Sequence, residues 1–379
     1  MRGHVLIAPD KFKGSLTAAQ VAGHLAAGLA RAAPHVPLAR LPVADGGDGT
    51  VEAAVACGFT EVRAQVSGPT GRPVAASYAV RDGTAVIELA AASGLRRLPG
   101  GTPAPLAASS RGTGELIAAA IERGATRIVL GLGGSACTDG GTGMAAALGA
   151  RFLDAAGDPL PPGGGALRSL ASIDPGGLPA RLRGVTVVVA GDVDNRLLGP
   201  DGAAAVFAPQ KGATAADVRA LERGLARLDA VARRDLGAYA ADRPGAGAAG
   251  GTGFGAMAFL GATVRPGIGY LLDLLGFAAR AAGARLVITG EGSLDRQSLR
   301  GKAPVGVARA AARLGVPAIA VAGRCALTGE QLRKARLQDA YALTDLEPDP
   351  ERCMAEAGPL LERLAERIGR DQPALGGAA

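Results

Sequence analysis

Short runs of apolar, mostly β-branched residues alternate along this chain with stretches in which small apolar residues recur every three or four positions. HVLIAP (4–9), TRIVL (126–130), GVTVVVA (184–190), ARLVIT (284–289) and PAIAVAG (317–323) read as strands; LTAAQVAGHLAAGLARAA (16–33), VGVARAAARLG (305–315) and TGEQLRKARL (328–337) read as helices. Unbroken apolar strands alternating with helices predict an α/β protein whose parallel sheets are covered on both faces. In such sheets ligands bind beyond the carboxyl ends of the strands. Asp10, Asp45, Asp192 and Glu291 all fall at that end. Residues 60 to 110 have another texture: TEVRAQV, RPVAASYAV and TAVIELA are separated by Gly-Pro and Asp-Gly turns, which predicts an antiparallel edge or a lobe boundary. RPGAGAAGGTGFGA (243–256) is too rich in glycine for a regular element and reads as a hinge or a substrate loop.

Composition narrows the function classes. At 379 residues the chain is long enough for two domains. Its first residues hold too short an apolar run for a signal peptide, and no stretch approaches the ~20 apolar residues of a membrane span. Cys57, Cys137, Cys325 and Cys353 show no CxxC spacing and read as reduced thiols of a cytoplasmic protein. His4, His24 and His35 lie together near the start, away from every acidic loop, which speaks against a histidine triad or a zinc site. The net charge of +7 comes from arginines spread along amphipathic helices, with no basic block or stacking aromatics, so nucleic acid is not an expected partner. Lysine is scarce, five against 36 arginines, yet Lys11, Lys13, Lys211 and Lys302 all sit beside glycine- or proline-containing loops. A lysine kept against such a bias suits a need for a compact ammonium group.

The chemistry gathers in the loops. GLGGSACTDGGTG (131–143) follows a strand and bares its backbone, as a loop does that brings amides to an anion. Its opening also fits the G-x-G-x-x-A dinucleotide fingerprint, with Asp154 near the distance of a ribose-binding acid. That fingerprint requires a helix to begin inside it. Gly140, Gly141 and Gly143 would each cost roughly 1 kcal/mol in a helix interior, so the helix is expected only after Gly143. An extended nest with Ser135 and Asp139 suits phosphates or a small polyol better. No stretch satisfies G-x-x-x-x-G-K-[ST], and protein-kinase signatures are absent. ADGGDGT (44–50), GDVDN (191–195) and GEGSLD (290–295) supply Asp45, Asp48, Asp192, Asp194, Glu291 and Asp295, the carboxylates that phosphoryl transfer uses for magnesium and for the attacking hydroxyl. Asp82 and Asp201 read as ordinary turn residues.

In order along the chain, IAPDKFKGSLTA, PVADGGDGT, GLGGSACTDGGTGM, GDVDNRLLGPDGAAAVFAPQKGA and GEGSLDRQSLRGKAPVGVA closely resemble the block motifs of the bacterial type I glycerate kinases. The resemblance runs to about residue 365, leaving a polar, glycine-rich tail. It implies two α/β lobes with parallel-rich sheets: a discontinuous one from both chain ends (1–66 plus 286–379) and a central, flavodoxin-like one (67–285), with the active site between them. It implies phosphorylation of D-glycerate by ATP and Mg2+, usually to 2-phosphoglycerate; composition adds the expectation of a cytoplasmic protein with no membrane or nucleic-acid partner, and monomer or homodimer stays open. The chain departs from the family pattern at Asp48, where glutamate is common, and at Arg111, where an uncharged residue is common. On this reading Lys11, Lys13 and the loop around Gly133, Gly134, Ser135, Asp139, Gly140 and Gly141 neutralise phosphate. Asp192 is the first candidate for the base and Asp45 the second; Asp194 and Glu291 serve magnesium; Lys211 and Lys302, with Arg72 or Arg324, hold the glycerate carboxylate or the triphosphate. A hydroxy-acid dehydrogenase using NAD and a non-catalytic nucleotide-binding regulator are the competing classes.

Overall fold

The computed structural model describes residues 3–375, the side chain of Arg300 excepted. The chain divides into two compact units: one holds the residues up to Asp45, Glu52–Gly58 and those from Ile268 on, the other Gly46–Val51 and Phe59–Gly267.

The first unit is built on an all-parallel, five-stranded sheet. The buried strand Val5–Pro9 lies between Leu38–Arg40 and Leu286–Leu294, and Ala318–Cys325 and Ala340–Ala342 continue beyond the latter. Numbered within the unit the order is 2-1-3-4-5, the flavodoxin-type arrangement, whose connections reverse direction beside the first strand. Val5, Ile7, Leu286 and Ile288 share a core with helices Ala18–Ala32 and Ala357–Asp371. Thr17 starts the first of these with a reciprocal capping box with Gln20, which satisfies two amides that would otherwise lack partners. Arg31 joins the two helices through Glu362 (2.8 Å) and Glu366 (2.6 Å). The stretch after residue 365, expected as a tail, stays helical to Asp371 with Ile368 buried, because its apolar positions keep helical spacing; residues 376–379 of that expected tail lie outside the described residues.

The second unit carries a six-stranded sheet. Thr84–Glu88, Arg127–Gly131, Thr186–Ala190 and Thr263–Arg265 run parallel in that order. Thr60–Ser67 and Pro73–Arg81 extend it as the expected antiparallel edge. Asp82, with φ of 48°, and Gly83 make the tight Asp-Gly turn read from the sequence. Two expectations need correction. The flavodoxin-type order belongs to the unit from the chain ends, since the central sheet adds its strands in one direction without a reversal. Strand Thr60–Ser67, placed with the first lobe by the boundary at 66, pairs instead within the central sheet.

The glycine-rich stretch 243–256 is only in part the irregular segment expected: 243–247 form bends and turns, with Arg243 and Pro244 exposed. From 248 it becomes a buried helix, Ala248–Leu260, whose first turn is distorted at Ala249, Gly250 and Gly251. Here glycine permits contact between backbones: a methyl group at Gly255 would stand 2.5 Å from the carbonyl oxygen of Gly140, and one at Gly253 2.0 Å from that of Gly245. Among the described residues no helix is long and apolar enough to cross a membrane. Gly255→Ala should destabilise the protein by about 1–3 kcal/mol through overpacking, read by thermal or urea unfolding. Gly269→Ala, a helical glycine whose added methyl meets open space, should be neutral or stabilising by up to about 1 kcal/mol; equal losses would show that crowding is not the cause.

Candidate functional site

In the first unit the strands Val5–Pro9 and Leu286–Leu294 lie side by side where the sheet order reverses, and the predicted groups gather at their carboxyl ends. Asp10 follows the first strand; its amide donates to Gly290 O (2.8 Å) and its Oδ1 accepts from the Lys11 amide (2.7 Å). The carboxyl group is buried. Burial first, and then the charge of Asp45, push it up from 3.8 to about 7, against the opposing pull of Lys11. Glu291 lies inside the strand, which runs three residues beyond it rather than ending at Thr289. Burial raises its pKa as well, opposed by a hydrogen bond from the Ser298 hydroxyl and by Lys302, whose Nζ lies 3.6 Å from Oε2, while the charge of Asp45 adds to the rise. Lys11, Asp45, Glu291 and Lys302 are thus brought together around Asp10, which the sequence placed at a strand end without a role. Lys13 is exposed on the tight turn between Phe12 and Leu16. Arg324 donates to Ser293 Oγ (3.0 Å).

In the second unit three of the predicted loops converge. Gly46 sits between the ends of two strands: a methyl group there would stand 2.2 Å from Ala190 O, and one at Gly131 would stand 2.5 Å from Gly46 O. Gly133 lies as closely on Gly47, with 2.7 Å from an added methyl to its Cα. Bare backbone lets Gly46 and Gly47 lie directly against the ends of the strands that lead into GLGGSA and GDVDN. Asp192 and Asp194 are exposed just beyond Thr186–Ala190, and Asp192 Oδ1 accepts from the Gly267 amide (3.0 Å). Glu88, which the sequence did not single out, ends strand Thr84–Glu88 on the far side of Arg127–Gly131, buried, and accepts the Val51 amide (2.6 Å).

The glycine loop itself has two halves. Its outer half is Gly133–Ser135; Gly134 is exposed at a φ of +75°, and among the described residues the amides of these three meet no acceptor. Its inner half is interior structure. Asp139 is buried and accepts from the Ser110 amide (2.8 Å), the hydroxyls of Ser110 and Ser109, and the amides of Gly141 and Gly143. Lys211 is buried too, with Nζ 2.5 Å from Cys137 O and 3.4 Å from Thr138 Oγ1; burial lowers its pKa, while the charge of Asp139 opposes that fall. Asp139, Gly140, Gly141 and Lys211, read from the sequence as contacts to a ligand, therefore support the loop from beneath. An acid or lysine beside glycines looks the same in sequence whether it faces solvent or the loop's own amides. The following helix begins at Thr142, one residue before Gly143 and still outside the dinucleotide fingerprint. A cavity of about 430 Å³ opens at the opposite, amino-terminal end of the first unit's sheet beside Val316, Pro317, Arg333 and Arg336, and none of the predicted residues lines it.

The Asp10 carboxyl binds its proton more tightly in the folded chain than in the unfolded one. The stability this confers is complete below the ordinary carboxyl range near 4 and is lost as pH rises through about 7. In metal-chelated buffer Asp10→Asn, which keeps an acceptor for the Lys11 amide, should therefore gain stability over the wild type between pH 5 and 8, by up to about 4 kcal/mol. Melting temperatures of the two proteins that run parallel across that range would show Asp10 already ionised at pH 5.

The chain is similar to known proteins along nearly its whole length. The model of the glycerate kinase family matches residues 5–372. A glycerate kinase of Bacillus subtilis (strain 168) is 44% identical over 367 residues, 96% of each chain. A glycerate 2-kinase of Escherichia coli (strain K12) is 47% identical over 322 residues, 84% of each. A crystal structure from Salmonella typhimurium LT2, described as a candidate glycerate kinase 2, superposes with a TM-score of 0.84 at 41% identity, covering 98% of this chain and all of that one. With five ordered motifs, strand-end carboxylates beside lysines, and this likeness along nearly its whole length, the chain belongs to the glycerate kinase family.

Proposed function

We propose that the chain transfers the terminal phosphoryl group of ATP in line to D-glycerate, giving 2-phosphoglycerate, with magnesium on the phosphate oxygens. What supports this reading beyond family membership is the kind of group each unit carries by itself: carboxylates and ammonium groups at the strand ends of the first unit, and, at those of the second, amides that meet no acceptor among the described residues. Phosphoryl transfer calls on both kinds, because the protein's part is to position the reactants and to neutralise charge. The name of the Escherichia coli relative supports the 2-position of the product.

Asp192 takes the proton of the glycerate hydroxyl, with Asp45 the second candidate; the hydrogen bond from Gly267 fixes the direction of the Asp192 carboxylate. Lys11, Lys13 and the amides of Gly133, Gly134 and Ser135 meet phosphate oxygens as charge shifts toward the leaving group. Lys302 meets the substrate carboxylate or the triphosphate. Among the described residues no group of three or more His, Cys, Asp or Glu side chains is arranged to hold a metal. That suits magnesium, which binds in such enzymes through one or two carboxylates and completes its shell with phosphate oxygens and water. Asp194 and Glu291 are the proposed carboxylates, directly or through water, and the bound ion would screen charge on the phosphates. Burial is the main cause that raises both Asp10 and Glu291, and the nearby charge of Asp45, which adds to each rise, is of the kind a cation relieves.

Incubation with ATP, magnesium and D-glycerate, followed by phosphorus NMR, should show 2-phosphoglycerate; the 3-isomer would keep the reaction and change the acceptor hydroxyl, and no phosphoglycerate would remove the reading. Asp192→Asn should lower kcat by roughly 10²–10⁴ while leaving the KM for ATP within about threefold. Turnover near that of the wild type would pass the base role to Asp45.

A further inference from the structure

Once Lys211 is seen to be buried beneath the glycine loop, the second unit needs another cation for any phosphate held by the loop's outer amides, and its geometry points to Arg96. We propose that Arg96 is a phosphate-binding residue, held on Asp48 beside the Gly133–Ser135 amides and engaging the phosphate oxygens of the nucleotide. The inference deepens the phosphoryl-transfer reading above and rests on it.

Three observations, all within the second unit, converge. The segment carrying Arg96 is tied to the glycine loop: Gly94 and Ser135 form an antiparallel bridge, the Leu95 amide donates to Gly134 O (3.0 Å) and the Ala136 amide to Ser93 O (2.9 Å). From that tie the single 3-10 turn Leu95–Arg97 leads into solvent and leaves Arg96 exposed. On the other side, an added methyl at Gly133 would lie 2.7 Å from Gly47 Cα and 3.7 Å from the Asp48 amide nitrogen, so Asp48 is fastened against the same loop. Asp48 Oδ2 holds Arg96 Nη1 at 3.3 Å. The backbone before Arg96 and that of its partner Asp48 thus both adjoin the loop, whose three outer amides meet no acceptor among the described residues.

The physical chemistry suits an exchange of partners. Arg96 is largely exposed, and an ion pair of that kind contributes little to stability and is easily given up. A guanidinium grips phosphate oxygens in a bidentate fork, which a lone carboxylate contact at one nitrogen does not use. Amides from a glycine turn supply further donors without a counter-charge. Arg97, next in sequence and equally exposed, carries the same charge and serves as the internal comparison.

The test is calorimetric titration of tripolyphosphate, and separately of D-glycerate, into the wild type, Arg96→Ala, Arg96→Lys and Arg97→Ala, together with steady-state kinetics. Arg96→Ala should weaken tripolyphosphate binding and raise the KM for ATP about tenfold or more, with Arg96→Lys between it and the wild type. D-glycerate affinity and melting temperature should stay close to those of the wild type, and Arg97→Ala should match the wild type throughout. The assignment is overturned if Arg96→Ala binds tripolyphosphate within about twofold of the wild type, if Arg97→Ala weakens it as much, or if D-glycerate binding falls in its place. The kinase reading fails separately, if the wild type makes no phosphoglycerate; tripolyphosphate binding still decides the role of Arg96 in that case.

Discussion

Backbone lies directly on backbone at the strand ends of the central unit, and the arrangement of its loops depends on that closeness. Gly131 and Gly133 press on Gly46 and Gly47, while Gly140 and Gly141 press on the helix containing Gly255, at distances no side chain allows. The contacts have two consequences. They close the space beneath the glycine loop, so that its inner half becomes core, and they draw three loops far apart in sequence onto one sheet edge. The glycines at these contacts are therefore a packing requirement, and on the outer half of the loop the amides of Gly133, Gly134 and the buried Ser135 meet no acceptor among the described residues.

Buried charge is treated differently in the two units. Asp139 and Lys211 are enclosed and bonded to the protein: the acid accepts from amides and hydroxyls, and the ammonium donates to a carbonyl and a hydroxyl. Removing charged groups from water is costly unless such partners are supplied, and here the chain supplies five donors to Asp139 and two acceptors to Lys211. Around Asp10 the balance is incomplete. Three carboxylates share a confined strand end with Lys11 and Lys302, and Asp10 is pushed to about 7. An assembly left in electrostatic tension suits ligand chemistry, whereas a satisfied one suits structure. That contrast separates residues that look alike in sequence.

Much was determined by the sequence alone. The period of its apolar residues set the class of fold, the parallel strands, the antiparallel edge after residue 60 and the Asp-Gly turn at 82, because these follow from local pattern and turn chemistry. The ordered motifs set the family, and the rule that ligands gather at the carboxyl ends of parallel strands marked Asp10, Asp45, Asp192 and Glu291. Tertiary structure alone decided which unit has the flavodoxin-type order, since strand order depends on pairings between distant segments. It decided that the glycine-rich stretch at 248–260 is a buried helix, because the low helical propensity of glycine is overridden once neighbouring backbone requires a residue without a side chain. It also decided which way each polar side chain faces. Lys211 turns inward and Arg96 outward, from loops whose composition distinguishes neither, because direction is set by neighbours that only the folded chain brings near.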